Sequence, residues 1–154
     1  MLNRIQRFIR TIWQLLPVKM KIGAARAVQP KFTVSATGVI VNDKKEVLLL
    51  EHVLRPASGW ALPGGFLNQF EQAEEALRRE MMEEIGLELT DVAPYLARTN
   101  HTHVEIFFLA RSLGEPQVRS REIIAFKWCG LGELPGDMSP TQRRLIEEIL
   151  QIDL

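Results

Sequence analysis

Cysteine is almost absent from this chain. Cys129 stands alone among 154 residues, which excludes an internal disulfide framework and reads as a core thiol at the end of a strand, in a reducing, cytoplasmic compartment. Histidine occurs only three times, so no Cys/His ligand set for structural zinc is present. No apolar run is long enough to cross a bilayer, and neither an internal repeat nor a low-complexity tract appears. Acidic residues are missing altogether from the first 31 positions.

That last absence conceals a segregation, because the whole chain is formally neutral with 19 basic and 19 acidic residues. Arg4, Arg7, Arg10, Lys19, Lys21, Arg26 and Lys31 precede the first acid, so residues 1–30 form a basic arm and the remainder is acidic. Ile5, Phe8, Ile9, Ile12, Trp13 and Leu16 fall on one helical face with the arginines opposite, and Pro17 ends the pattern. An amphipathic helix of this kind suits an anionic membrane surface or an organelle-targeting segment; it equally suits packing on its own domain or on a second subunit of a homodimer. The arm lacks the interleaved aromatics of an RNA platform, so nucleic acid is not an expected partner.

Residues 31–154, in a chain that is 46 % hydrophobic and 25 % charged, have the length for one domain with its own core. Runs at 32–41, 47–54, 89–96, 102–111 and 122–129 read as strands, the first two joined by a turn at Asn42-Asp43-Lys44-Lys45. Helices are expected over 70–85 and 141–152, the second with Ser139 as N-cap ahead of Pro140. Strands outnumber helices, which suits a mixed sheet covered by helices on both faces.

The central helix carries the chemistry. Ala73, Ala76, Leu77 and Met81 make its apolar stripe, and Gly86 follows as a left-handed stop. Glu80, Glu83 and Glu84 stand at i, i+3 and i+4, so three carboxylates share a patch beside that stripe. A solvated charged face is the plain alternative, with Glu74–Arg78, Glu75–Arg79 and Arg79–Glu83 as helical ion pairs. Glu80, however, has only like charges at i+3 and i+4, each costing a few tenths of a kcal/mol. A hard cation such as Mg²⁺ or Mn²⁺ relieves that repulsion. Just upstream, Trp60-Ala61-Leu62-Pro63-Gly64-Gly65 places two glycines where backbone can approach a metal or a phosphate.

Gly65, Glu71, Arg79, Glu80, Glu83, Glu84 and Gly86 together match the spacing G-x5-E-x7-R-E-U-x-E-E-x-G-U, where U is apolar. With each fixed residue at a background of roughly 5–7 %, a chance match in this chain is on the order of one in a million. On these residues the sequence resembles the Nudix hydrolases. The resemblance implies an α/β fold, an α/β/α sandwich, and metal-assisted cleavage of a phosphoanhydride in nucleoside diphosphate-X compounds or nucleoside triphosphates. It further implies Glu80, Glu83 and Glu84 as principal ligands of Mg²⁺ (or Mn²⁺), joined by the carbonyl of Gly64 or Gly65, with Glu71 behind them or on an additional metal. Arg79 would hold the glutamates rather than touch substrate.

Family members differ in the general base, which here means Glu80 or Glu83 on the helix, or Glu122, which stands six residues before Trp128 and is also a candidate metal ligand. Two positions depart from the common box: Asn68 replaces a frequent glutamate, and Phe70 replaces the usual glycine before Glu71. Outside the box, Arg55, Arg119 and Arg121 are candidates for phosphate contacts, Trp60 and Phe66 for stacking on a base, and His103 for a contact with the nucleoside. Substrate identity is not written in the box. Two further functions remain open: a non-catalytic nucleotide sensor on the same fold, and a membrane-associated hydrolase of a lipid-linked pyrophosphate.

Overall fold

The computed structural model describes residues 2–54 and 59–151, which divide into two compact units, Met1–Phe32 and Thr33–Leu154. The first unit holds α1 (Leu2–Leu15) and α2 (Val18–Val28). Pro17 ends the first helix as expected and, at φ −57°, serves as the N-cap of the second. The second helix was not foreseen. Its sequence, VKMKIGAARAV, has little apolar periodicity, but alanine and lysine favour helix intrinsically.

The second unit is built on seven strands: β1 (Thr33–Val41), β2 (Val47–His52), β3 (Trp60–Ala61), β4 (Gly64–Phe66), β5 (Glu88–Asn100), β6 (His103–Leu113) and β7 (Ile123–Cys129). α3 (Ala73–Ile85) and α4 (Pro140–Gln151) accompany them. The main path runs β3-β2-β1-β6-β5, with β4 on β1 and β7 on β2. β1 and β6 pair in parallel and the other pairs are antiparallel, so the sheet is mixed.

Alternation along β1 sends Ala36 and Ile40 to one face and Val39 to the other. The first face packs on Ala76, Leu77, Met81 and Ile85 of α3, all fully buried. The second packs on Leu145, Ile146 and Ile149 of α4. This α/β/α sandwich explains the unbroken apolar runs of β1 and β2, since both faces of those strands are covered. Truncating a buried leucine such as Leu77 costs about 2–5 kcal/mol, which is the scale of the force that holds α3, and hence its carboxylates, at a fixed height on the sheet.

Several boundaries moved. α3 starts at Ala73 rather than at residue 70, because Phe70 adopts φ +70° and Gln72 is the N-cap, locked in a capping box with Glu75. Periodicity hid this, since Phe70 stands three residues before Ala73 and prolongs the apolar stripe into the loop. β2 stops at His52, where its pairing with β7 shifts register, instead of reaching residue 54. β5 extends beyond residue 96 to Asn100, carried by the long hairpin with β6. The stretch 60–66, outside the expected strands, contains two short ones. α4 occupies its expected place, although Ile152 lies outside the described residues.

Candidate active site

Arg79 is the hub of the carboxylate cluster. Its guanidinium donates to both oxygens of Glu71, from Nε at 2.7 Å and from Nη2 at 3.0 Å, and to Glu80 Oε1 from Nη1 at 2.7 Å. Nη1 also reaches Glu83 Oε2 at 3.4 Å, and Nη2 reaches the Phe66 carbonyl at 3.1 Å. One planar cation thus ties the loop, β4 and the helix together. The expected Glu75–Arg79 pair is not formed, because the Glu75 carboxylate turns back to accept from the Gln72 N–H at 3.1 Å.

These contacts set the ionisation of the cluster. The hydrogen bond from Arg79, followed by the N–H of Asn68 at 2.7 Å, holds the Glu71 carboxyl down to about 2 against a smaller opposing effect of burial. Reciprocally, Glu71 raises the Arg79 pKa further above its already high value. Both groups are therefore ionised throughout the physiological range.

Two glycines shape the wall facing the helix. Gly64 has φ +149°, and a Cβ there would fall 2.1 Å from the Ala36 carbonyl oxygen. At Gly65 a Cβ would fall 2.3 Å from the carboxyl carbon of Glu80. The bare backbone of Gly65 is what lets Glu80 lie against it. Glu84 is 7 % exposed, whereas the side chain of Glu83 is 62 % exposed. Among the described residues, no three His, Cys, Asp or Glu side chains already stand as a closed metal cluster. The donors gathered here are nonetheless all hard oxygens, and a carboxylate as buried as Glu84 calls for compensating positive charge or strong donors. Such a set has the chemistry to take Mg²⁺ or Mn²⁺, for which Glu80, Glu83, Glu84 and the Gly65 carbonyl would be the holders.

The opposite end of α3 is closed by Gly86 in the left-handed conformation, φ 62° and ψ 28°. The segment 115–122 wraps over it. Gln117 N–H donates to the Ile85 carbonyl at 2.7 Å, and the N–H groups of Arg119 and Ser120 both donate to the Glu84 carbonyl, at 2.8 and 3.2 Å. Carbonyls that a helix terminus leaves unpaired are thereby satisfied. The same segment delivers Glu122, whose N–H donates to Ser120 Oγ at 3.1 Å and whose carbonyl accepts from Val53 N–H at 2.9 Å. Glu122 is exposed at the head of β7, tethered through Ser120 to the backbone of Glu84.

The remaining candidates are dispersed. Phe66, 64 % exposed, meets the His103 ring edge-on at 5.5 Å between centroids. His103 also pairs Nδ1 with Thr33 Oγ1 at 2.8 Å and Nε2 with Ser35 Oγ at 2.9 Å. Trp60 packs on the cluster under α4, in the position of a sheet anchor. Arg119 lies over Gly86 with Nη1 3.7 Å from Met82 Sδ, at the negative end of the helix dipole. Arg121 is exposed, and Arg55 lies outside the described residues.

Two features escaped the sequence reading. Thr37 Oγ1 donates to Glu105 Oε1 at 2.8 Å, extending a polar strip of Thr33, Ser35 and Thr37 on β1 opposite His103 and Glu105 on β6. Polar residues at every second position in both strands were the available signal. The tether through Ser120 had no sequence signal, because it rests on backbone contacts between distant segments.

Known proteins share the sequence pattern and the fold. The profile of the NUDIX domain matches residues 31–149. A protein of Bacillus subtilis described as a putative 8-oxo-dGTP diphosphatase is 29 % identical over 120 residues, covering 76 % of this chain and 79 % of its own. A Mycobacterium tuberculosis protein described as putative 8-oxo-dGTP diphosphatase 2 is 33 % identical over 112 residues, covering 67 % and 78 %. Among solved structures, a MutT NUDIX hydrolase from Burkholderia pseudomallei superposes with a TM-score of 0.67 at 28 % identity, over 77 % of this chain and 98 % of that one.

Proposed function

The chain belongs to the NUDIX hydrolases, and from that premise we propose that it is a Mg²⁺- or Mn²⁺-dependent pyrophosphohydrolase acting on nucleoside triphosphates or nucleoside diphosphates linked to a further group. The observation that carries this reading is the Arg79 clamp, which fixes Glu71 and Glu80 beside Gly65 while Glu84 stays buried one turn further on. The names of the bacterial relatives favour an oxidised purine nucleoside triphosphate as the first substrate to try.

A divalent cation held by Glu80, Glu83, Glu84 and the Gly65 carbonyl would neutralise the pyrophosphate and acidify a water molecule. The chain's own residues do the rest. Arg79 keeps the carboxylates in register without meeting substrate. Water attacks phosphorus, the P–O anhydride bond breaks, and the departing phosphate or pyrophosphate keeps the bond electrons. The water proton passes to a carboxylate within hydrogen-bond reach, for which Glu80, Glu83 and Glu122 are the candidates. Exposed Phe66, with the His103 strip beside it, offers an aromatic edge and polar groups on the β4 side of the loop, where a nucleoside would rest.

The test is release of phosphate, pyrophosphate and nucleoside monophosphate across a panel of triphosphates, oxidised purine triphosphates and diphosphate-X compounds. It is run with Mg²⁺, with Mn²⁺, with chelator and with Glu83→Gln. Metal-dependent turnover lost in the variant supports the proposal. A silent panel accompanied by tight nucleotide binding would replace it with the sensor.

A further inference from the structure

The arm contains an interaction surface that the hydrolase reading does not use. On α1, Ile5, Phe8, Ile9, Ile12 and Trp13 span an apolar arc about 140° wide at 100° per residue, and they are 58, 67, 58, 46 and 44 % exposed. Within its own unit this face is not covered. α2, the other helix there, contributes no buried residue, and its Val18, Met20 and Ile22 are exposed too. Exposing five large side chains on one stripe of a short helix opposes folding in water unless something takes up the apolar area.

Charge selects what does so. Arg4 and Arg10 flank the apolar arc and Arg7 lies opposite it, while Lys19, Lys21, Arg26 and Lys31 continue the positive charge without one acidic residue. Two copies of residues 1–31 face to face would bring seven positive charges against seven, which disfavours self-association. An anionic lipid surface matches both halves of the pattern. Apolar side chains enter the acyl boundary, tryptophan sits at the interface, and arginines reach the headgroups on flexible apolar stems. No described helix is long and apolar enough to cross a membrane, so the arm would lie on the surface. We propose that α1 is an interfacial helix that binds anionic phospholipid headgroups and holds the enzyme at a membrane face.

The experiment uses the full chain with vesicles of phosphatidylcholine alone or mixed with phosphatidylglycerol, followed by cosedimentation and tryptophan emission. Phe8→Ser combined with Trp13→Ser removes apolar area, and Arg4→Gln with Arg7→Gln and Arg10→Gln removes charge. Binding to the mixed vesicles and not to phosphatidylcholine, weakened by salt and reduced about tenfold or more in each variant, is the expected result. Hydrolysis of a soluble substrate stays unchanged in both variants. Equal behaviour of wild type and variants toward mixed vesicles overturns the proposal. So does absence of vesicle binding with a lower melting temperature in the serine variant, which would place the stripe inside a protein core. A wild type that elutes as a dimer and a serine variant that elutes as a monomer, again with no vesicle binding, would assign the stripe to a second copy. Binding of an RNA oligonucleotide in preference to the mixed vesicles would assign it to nucleic acid. Vesicle binding is measured without substrate, so it stands or fails separately from the hydrolase activity.

Discussion

Arg79 and Glu71, eight residues apart, are joined by two parallel hydrogen bonds of 2.7 and 3.0 Å, and through this pair the loop before α3 is locked to the helix. A forked guanidinium makes such a contact and an ammonium does not. Arg79→Lys should therefore behave much like Arg79→Ala. Both should weaken divalent-metal binding by about 10–100-fold, the usual effect of removing groups that orient ligands, with kcat/KM falling in step. Metal titration by calorimetry, alongside kinetics, checks this, and full rescue by lysine would show that only charge matters at this position.

Gly64 and Gly65 should fail in different ways. At Gly64 a side chain meets fixed backbone of β1 at a positive φ, whereas at Gly65 it meets the flexible end of Glu80. Gly64→Ala is expected to lower stability by at least ~2 kcal/mol, the scale of strained backbone plus overpacking. Gly65→Ala should fold and melt close to wild type but lose most activity, because Glu80 is pushed aside. Thermal melts paired with turnover distinguish the two.

Glu84 is a buried carboxylate, so its charge costs desolvation, which a cation bound there would help to offset. In chelator, Glu84→Gln should melt no lower than wild type. With Mg²⁺ present, the wild-type melting temperature rises by ligand linkage and that of the variant does not. Turnover of the variant should drop by about two orders of magnitude or more. An equal Mg²⁺-induced rise in both proteins would remove Glu84 from the ligand set.

Phe70 holds φ +70° while 91 % exposed, so its side chain gains little burial in return for a strained backbone. Phe70→Gly relieves about 1–2 kcal/mol of left-handed strain and adds about 0.5–1 kcal/mol of unfolded-chain entropy. The net expectation is stabilisation of roughly 0.5–1 kcal/mol, read as a higher denaturation midpoint at an unchanged slope.

Cys129 is fully buried, and burial pushes its thiol pKa up from 9.0. A folded pKa raised above the unfolded one means that this contribution to stability is complete below about pH 9 and is lost as pH rises through the folded value. The native thiol should resist alkylation at pH 8 and react at the rate of global unfolding. Cys129→Ala should flatten the alkaline limb of the stability curve. Rapid labelling of native protein at pH 8 would contradict the burial.

How much was legible in advance follows the range of the interactions involved. The box glutamates, the Gly86 stop and the amphipathic arm were readable because helical geometry converts spacing in the chain directly into a shared face. The same holds for β1 and β2, whose apolar runs required cover on both sides. Phe70 at positive φ was signalled only by its standing where a glycine is usual, since it is the closing of the loop onto the helix that forces that conformation on a phenylalanine. Arg79 was legible as a holder of glutamates, and its pair with Glu83 forms as expected, but its main partner was not: Glu71 stands where Glu75 was expected, because Glu75 turns back to cap Gln72.

Local order along the chain thus established the class of fold, the family and the grouping of Glu80, Glu83 and Glu84 on one helix, because those depend on periodicity and fixed offsets within a few turns. Tertiary packing alone decided that Gly65 abuts Glu80, that His103 meets Ser35 and Phe66, and that segment 115–122 carries Glu122 to the end of α3. Each of these joins residues distant in sequence, and their proximity comes from burying the two faces of one sheet.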